Sequence, residues 1–442
     1  MNSFTSIINS LSNILWGWPL ISLFSITGII ATFALKGLQF TYFIKSWKLV
    51  LAPPKGDKKA EMSPIQAFIN SLGGCTGNGS IAGVATAIAI GGPGAAFWMM
   101  IAGFLGMIIR FTEVFLGTSV IGKFIFNGAK GGPLVYLSLV PGGKVMPYFY
   151  ALAMLFYSLV SGNAMQVNAI GLGIKTTWGI DTLVTAFAIG IFTAYILIGG
   201  LERILKLSDR LVPFKVAFFM FFALGVLIYH ASSLIDTIIL IFKSAFNPQA
   251  IIGCITGCTF QKALKNGFSR AINANESGLG SAAVLFGASG GAEPFKDSLM
   301  SMIVTFLSTH VVGMIIAISV VASGVWNSGA TSTALTIKAF ETVYGSFGGI
   351  IVTLSSMLFG LGVLVSYVLV ALEMWKFITK NRFLNVFYIL YVLIAFFGVL
   401  INVNLVWDTI DIIMASMLFM NLYALIYFLP AIRTNVLKLI KY

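Results

Sequence analysis

Two apolar stretches of the chain are interrupted by glycine. The first, SLGGCTGNGSIAGVATAIAIGGPG from Ser71 to Gly94, crowds Gly73, Gly74, Gly77, Gly79 and Gly83 around Thr76, Asn78 and Ser80. The second, AIIGCITGCTF, runs from Ala250 to Phe260 and includes Gly253 and Gly257. Glycine inside a helix costs about 1 kcal/mol relative to alanine. Small residues four apart, such as Gly73 and Gly77, serve close helix packing in lipid, but polar side chains at mid-span do not. An unwound stretch frees backbone N–H and C=O groups at membrane depth, where protein, ligand or ion must satisfy them. Half-helix N-termini then favour a carboxylate, and freed carbonyls coordinate a cation. This is binding chemistry. An enzyme would need a nucleophile, an acid/base pair or a metal cluster. The chain offers two isolated histidines, His230 and His310, and three cysteines, Cys75, Cys254 and Cys258, with neither a CxxC pair nor a nearby His.

Few other residues carry charge within apolar sequence. Arg110 and Glu113 stand three apart, so they share a helix face and read as an ion pair near the cytoplasmic end, with a proton site as the alternative. Glu276, close in sequence to Lys265 and Arg270, reads as a gate or loop-anchoring carboxylate on the cytoplasmic side, or as a simple solvated charge. Asp411 reads as a first-turn cap at the outer start of the last span. Glu373, Lys376 and Lys380 read as a charged helix end.

These residues must be positioned by membrane-spanning helices. The chain has 442 residues, of which 58% are hydrophobic and 9% charged, with a mean hydropathy of +0.97. A typical soluble domain is about 25% charged. Forty-one charged side chains cannot solvate the surface of such a chain, which excludes a soluble globular protein and a disordered one. Eleven spans are expected, near 15–35, 63–90, 94–121, 146–170, 181–199, 211–230, 248–270, 298–322, 347–372, 384–402 and 409–429. Continuous apolar runs such as YILYVLIAFFGVLI exclude the alternation of a β-barrel. With these spans, 23 of the 27 Lys and Arg residues fall on one side, Lys215 and Arg270 among them, which predicts an external N-terminus and a cytoplasmic C-terminus. The net charge of +13 is then an orientation signal and no sign of nucleic acid. Trp16, Trp18, Trp98 and Trp407 fall near expected interfaces. The two glycine breaks sit at corresponding places in two five-helix sets that start on opposite sides of the membrane, the pattern of a secondary transporter with inverted repeats.

Several motifs carry a resemblance. IAGVATAIAIGGPGAAFWM (Ile81–Met99) and ANESGLGSA (Ala274–Ala282) resemble the two hallmarks of the alanine or glycine:cation symporter family. GNAMQVN (Gly162–Asn168), DRLVPF (Asp209–Phe214), KSAFNP (Lys243–Pro248) and WDTIDIIMASMLFMNL (Trp407–Leu422) are similar to further family segments, in order. The resemblance implies an all-α membrane protein of LeuT-like fold: an extra N-terminal helix and linker over 1–62, a first repeat over 63–230 and an inverted repeat over 231–442. It implies uptake of alanine or glycine driven by sodium, or sometimes protons, in a prokaryotic plasma membrane, with no organic cofactor and no metal beyond that ion. The expected partners are a small neutral amino acid and lipid, and the expected state is a monomer. Thr76, Gly77, Asn78, Gly79 and Ser80 match the segment that holds the substrate carboxylate. Gln166 matches a pocket residue, and Gly253 and Gly257 match the second break, near the amino group.

The chain departs from the family pattern at four places. Ser80 stands where Asn is usual, and Ser308 replaces an acidic residue. Gly362 and Val363 replace two hydroxyl residues, and Tyr367, lining the substrate pocket, replaces Trp. LeuT-like transporters commonly bind one sodium between the first broken helix and those hydroxyls, so their loss removes two hard oxygen ligands and leaves protons, or an uncoupled facilitator with passive flux, as the rivals. The ion-coupling candidates are Ser80, Ser366, Ser308 and His310, the last a possible proton relay two residues beyond the lost acid. Arg110, Glu113 and Glu276 are the gating or structural charges.

Overall fold

The computed structural model describes residues 12, 14–51, 62–121, 123–246, 260–288, 293–401 and 403–440, with backbone alone for 403–408. Among these residues the chain is all-helical, with an isolated bridge between Phe126 and Ala129 and no strand. The helices of eight residues or more are α1 (Trp18–Ala34), α2 (Phe43–Val50), α3 (Pro64–Cys75), α4 (Val84–Gly91), α5 (Gly94–Ser119), α6 (Met146–Leu159), α7 (Met165–Trp178), α8 (Thr182–Ile198) and α9 (Gly200–Tyr229). The second half contributes α10 (Leu234–Phe246), α11 (Phe260–Asn275), α12 (Ser281–Ala288), α13 (Pro294–Thr305), α14 (Met314–Ala322), α15 (Ser332–Tyr344), α16 (Ser346–Thr379), α17 (Leu384–Gly398) and α18 (Val403–Ile440).

Local sequence explains many boundaries. Ser63 and Gln66 form a reciprocal capping box ahead of Pro64 at the start of α3. The Asp181 carboxylate accepts from the Leu183 N–H at 2.7 Å at the start of α8. Gly179, at φ 68°, ends α7 in a left-handed turn. Three π-helical turns interrupt the α geometry, at Gly79–Gly83, Val160–Ala164 and Phe306–Gly313; such turns gather at functional sites.

Gly94–Ser119, Gly200–Tyr229, Pro294–Ala322, Ser346–Thr379 and Thr409–Ile440 are long and apolar enough to cross a membrane, and shorter apolar helices lie at 18–34, 79–91, 182–198 and 384–398. Large apolar side chains face outward, as at Ile198 and Phe33, 85% and 80% exposed. Water would not tolerate so broad an apolar surface, and lipid does. The chain is a multi-pass membrane protein.

Helices α5 and α16 form the buried centre. On α5, Ala95, Ala102, Gly103 and Gly106 let α11 and α13 approach closely. A Cβ on Gly267 of α11 would lie 2.7 Å from the Ala95 carbonyl oxygen, so backbone meets backbone there.

The structure corrects several expectations. Lys215 is not a cytoplasmic flank: α9 begins at Gly200, not near 211, and Lys215 sits halfway along it, fully buried. Arg270 and Asp411, assigned to opposite sides, form an ion pair of 3.3 Å. Asp411 is no cap, because α18 starts at Val403, two turns earlier. Trp16 is 1% exposed and donates to the Asp411 carbonyl oxygen at 2.8 Å, so it is a packing residue and not an interfacial anchor. Glu276 is buried and hydrogen-bonded to Ser281 and Tyr367, so it is not a simple solvated charge, and the loop-anchoring alternative stands. The expected span at 248–270 falls largely outside the described residues.

Gly267→Ala is expected to lower stability by about 1–3 kcal/mol through overpacking. Gly190→Ala, whose Cβ would meet Phe396 at an ordinary 3.7 Å, stays within about 0.5 kcal/mol. Thermal melting of the two variants in one detergent checks this, and equal shifts would contradict the α5–α11 contact.

Candidate functional site

The first break lies at Thr76 and Gly77, between α3 and the π-turn that opens α4. The Thr76 hydroxyl turns back to the Leu72 carbonyl at 2.6 Å, and the Ser80 hydroxyl donates to the Cys75 carbonyl at 3.3 Å. The Asn78 N–H donates to Gln166 Oε1 at 2.9 Å. The Asn78 side chain is consumed by α7 and α16: its amide donates to the Gln166 and Ser356 carbonyls, and its oxygen accepts from the Ser356 hydroxyl at 2.7 Å. The carbonyls released at the end of α3 receive a cation from the chain itself. Lys215 Nζ donates to the Thr76 carbonyl at 2.7 Å and the Gly73 carbonyl at 2.9 Å, with Phe359 O at 3.5 Å.

A second break faces the first. Helix α11 stops at Asn275 and α12 starts at Ser281; between them Glu276, Gly278 and Gly280 have φ of 56°, 84° and 84°. Two of these left-handed positions are glycine, which adopts them without strain. The Arg110–Glu113 pair, 3.1 Å apart and fully buried, caps both ends of this turn. Glu113 Oε2 accepts from the Gly278 and Gly280 N–H groups, each at 3.1 Å, and from Asn421 Nδ2 at 3.1 Å. Arg110 donates to the Asn275 carbonyl and to Cys75 Sγ, the latter at 3.1 Å. The anion thus sits on the freed donors and the cation on a freed acceptor, as backbone dipoles require. Glu276 accepts from the Tyr367 hydroxyl and from Ser281 Oγ at 2.7 Å, which anchors the turn to α16.

Between the breaks lies a small cavity whose walls include Gly74, Gly77, Gly79, Gln166, Asn273 and Tyr367. It has room for about one water molecule. Asn273 Nδ2 is buried without a hydrogen-bond partner, while its Oδ1 lies against Gly79. A Cβ on Gly77 would approach Val363 Cγ2 to 2.5 Å.

The sequence model of the sodium:alanine symporter family matches residues 1–441. The chain belongs to that family. An uncharacterised transporter of Haemophilus influenzae is 33% identical over 95% of this chain and 93% of its own length. The sodium/alanine symporter AgcS of Methanococcus maripaludis is 30% identical, over 96% and 94%. The probable sodium/glutamine symporter GlnT of Bacillus subtilis is 29% identical, over 95% and 87%. The chain is therefore of a transporter family, not an enzyme family, and its family implies sodium as the coupling ion.

Within this symporter fold the residues singled out from sequence divide into groups. Gly77, Gly79, Gln166, Glu276 and Tyr367 line the cavity. Thr76, Asn78 and Ser80 shape the break but spend their side chains on protein partners. Ser366 Oγ faces Gly73, buried and without a hydrogen-bond partner. Ser308 and His310 lie in the π-helical turn after α13, away from the cavity. Ser308 bonds the Thr305 carbonyl at 3.2 Å, and His310 stacks on Phe306 and reaches the Met100 carbonyl at 3.2 Å. Gly253 and Gly257 lie outside the described residues. Sequence reasoning missed Asn273 and Lys215. The paired glycines of ESGLGS are the signal for the second break; Lys215 carries little signal, because Glu202, Arg203, Lys206, Asp209 and Arg210 ahead of it make it read as part of a charged flank.

Glu113→Ala should destabilise the protein by about 3–5 kcal/mol, since it leaves Arg110 buried and unpaired. The double variant Arg110→Met/Glu113→Ala should recover part of that loss. Melting of the three proteins checks the coupling; an additive double variant would contradict it.

Proposed function

We propose that the chain is a secondary active symporter that imports a small neutral amino acid, alanine or glycine, by alternating access across a prokaryotic plasma membrane. The observation that carries this reading is the glycine-walled cavity between two helix breaks. A zwitterion in a dry site loses several kcal/mol unless both charges are met. The N–H groups at the start of the π-turn before α4, with the unpartnered Asn273 amide, suit the carboxylate. The amino group belongs at the carbonyl end of α11 beside Glu276. Gln166, bonded to both Asn78 and Ser161, holds the wall in register. Room for about one water is too little even for alanine, so loading requires the walls to part, and small side chains are selected by exclusion.

In this reading residues 63–230 and 231–442 are inverted repeats of a LeuT-like fold, each opening with a broken helix, and the first 62 residues are an addition. Eleven spans follow if the π-interrupted helices each cross once. The N-terminus is outside and the C-terminus cytoplasmic, an orientation still carried by the basic residues at 36–59, 203–210, 376–382 and 433–441.

Gln166→Ala and Gly77→Leu should each reduce accumulation of labelled alanine and glycine in reconstituted vesicles at least tenfold, with expression unchanged. The leucine cannot fit, because even its Cβ meets Val363. Uptake at the unmodified level in both variants would refute the site.

A further inference from the structure

Carbonyls released by a broken helix are the usual cradle for a transported cation. Here that cradle is filled from within. The Lys215 ammonium has three N–H donors, and three backbone carbonyls receive them: Thr76 and Gly73 from the end of α3, and Phe359 from α16. The Phe359 ring centroid lies 5.4 Å from Nζ, adding a cation–π contact. The C-terminal dipole of α3 points the same way. Gly362 completes the fit, since a Cβ there would lie 2.5 Å from Nζ. The position that lacks a hydroxyl is thus the position that makes room for the ammonium. A sodium ion at this point would find two carbonyls already bonded, no side-chain oxygen from Gly362 or Val363, and a positive charge beside it. The residues do not fit the ion.

We propose that Lys215 replaces the metal ion of the family at the first break, and that the ion coupled to uptake is the proton Lys215 carries. The proposal rests on the symport reading above. In each cycle the ammonium gives one proton to water on the cytoplasmic side, leaving a neutral amine, and the amine takes one proton from outside; only the N–H bond breaks and forms. The surroundings permit this. No described carboxylate pairs with Lys215, so proton loss strands no anion beside it. From α3 the titratable neighbour is Cys75, engaged with Arg110 and Asn275. From α16 it is Tyr367, bonded to Glu276. Helix α14 carries none, α8 only Tyr195, held by Arg203, and α15 has Lys338, Glu341 and Tyr344, of which Tyr344 bonds the Phe222 carbonyl of α9, two turns away. On α9 itself Asp209 accepts from Gln66 at 3.3 Å, and Arg210 lies one residue further on.

The test uses purified full-length protein in proteoliposomes, with labelled alanine and glycine and a pH-sensitive dye inside. The expected result is uphill uptake under an inward proton gradient with N-methylglucamine replacing sodium, accompanied by internal acidification. Lys215→Met, reconstituted at the same amount as the unmodified protein, should lose gradient-driven accumulation at least tenfold and substrate-linked acidification entirely. Accumulation that requires sodium and ignores the proton gradient in the unmodified protein would overturn the proposal, whatever the fate of the variant. So would unchanged acidification by Lys215→Met. In the unmodified protein, exchange of labelled for unlabelled amino acid without any uphill uptake refutes proton coupling but keeps the transport site. Absence of exchange as well refutes the symport reading, and the coupling with it.

Discussion

A backbone that leaves the helical path inside a membrane must find partners for every donor and acceptor it releases, and most of this molecule can be understood from that constraint. The chain has two such breaks among its described residues, at Thr76–Gly77 and Glu276–Gly280. Each is served by buried charge. Lys215 takes the carbonyls of the first; Arg110 and Glu113 take the acceptor and donors of the second. Lys215 is therefore spent on backbone, and Arg110 and Glu113 on backbone as well as on each other, so the cost of burying them is offset by groups that would otherwise be unsatisfied.

The rest of the packing follows from keeping the breaks face to face. The small residues of α5 let α11 come close enough for Arg110 to reach the Asn275 carbonyl. Helix α16 closes the other side: Ser356 holds Asn78, Tyr367 holds Glu276, and Phe359 with Gly362 holds Lys215. A cavity walled by glycines and by Gln166, Asn273, Glu276 and Tyr367 is what remains between them. Its polarity comes from peptide groups and these side chains together, which suits a ligand carrying both signs of charge.

How far the sequence revealed this depends on the physics of each feature. Helical periods and apolar runs are local, so six of the expected spans, 15–35, 63–90, 94–121, 181–199, 298–322 and 384–402, lie within four residues of helices or helix pairs at both ends. The first break was legible because Thr76, Asn78 and Ser80 stand among five glycines in eleven residues, and packing does not call for polar side chains at mid-span. The second was legible only as a motif, since two glycines at left-handed positions look like any turn. The Arg110–Glu113 pairing was visible from spacing three, but its targets on the second break, 165 and more residues away, were not. Lys215 was misplaced because a helix start set at 211 put it at the membrane edge; the Gly199–Gly200 pair marks the true start. Arg270 and Asp411 illustrate the same limit, because a contact between residues 141 apart leaves no local trace.

The two breaks differ in a way that bears on movement. The second is held by a pair of opposite charges joined to each other and to Asn421, a closed arrangement in which altering either member strands the other. Its geometry is in effect fixed. The first is held by neutral hydrogen bonds of Asn78 to Gln166 and Ser356 and by a single cation with no carboxylate, on a long flexible stem from a different helix. The charged part of its hold is one group whose charge state can change without stranding an opposite charge. In the proposed cycle the walls of the cavity part for an amino acid to enter, and the side with the weaker, reversible restraint is where that parting costs least. The helix that carries Lys215 is thereby linked to the first break through the two carbonyls, Gly73 and Thr76, that the break exposes.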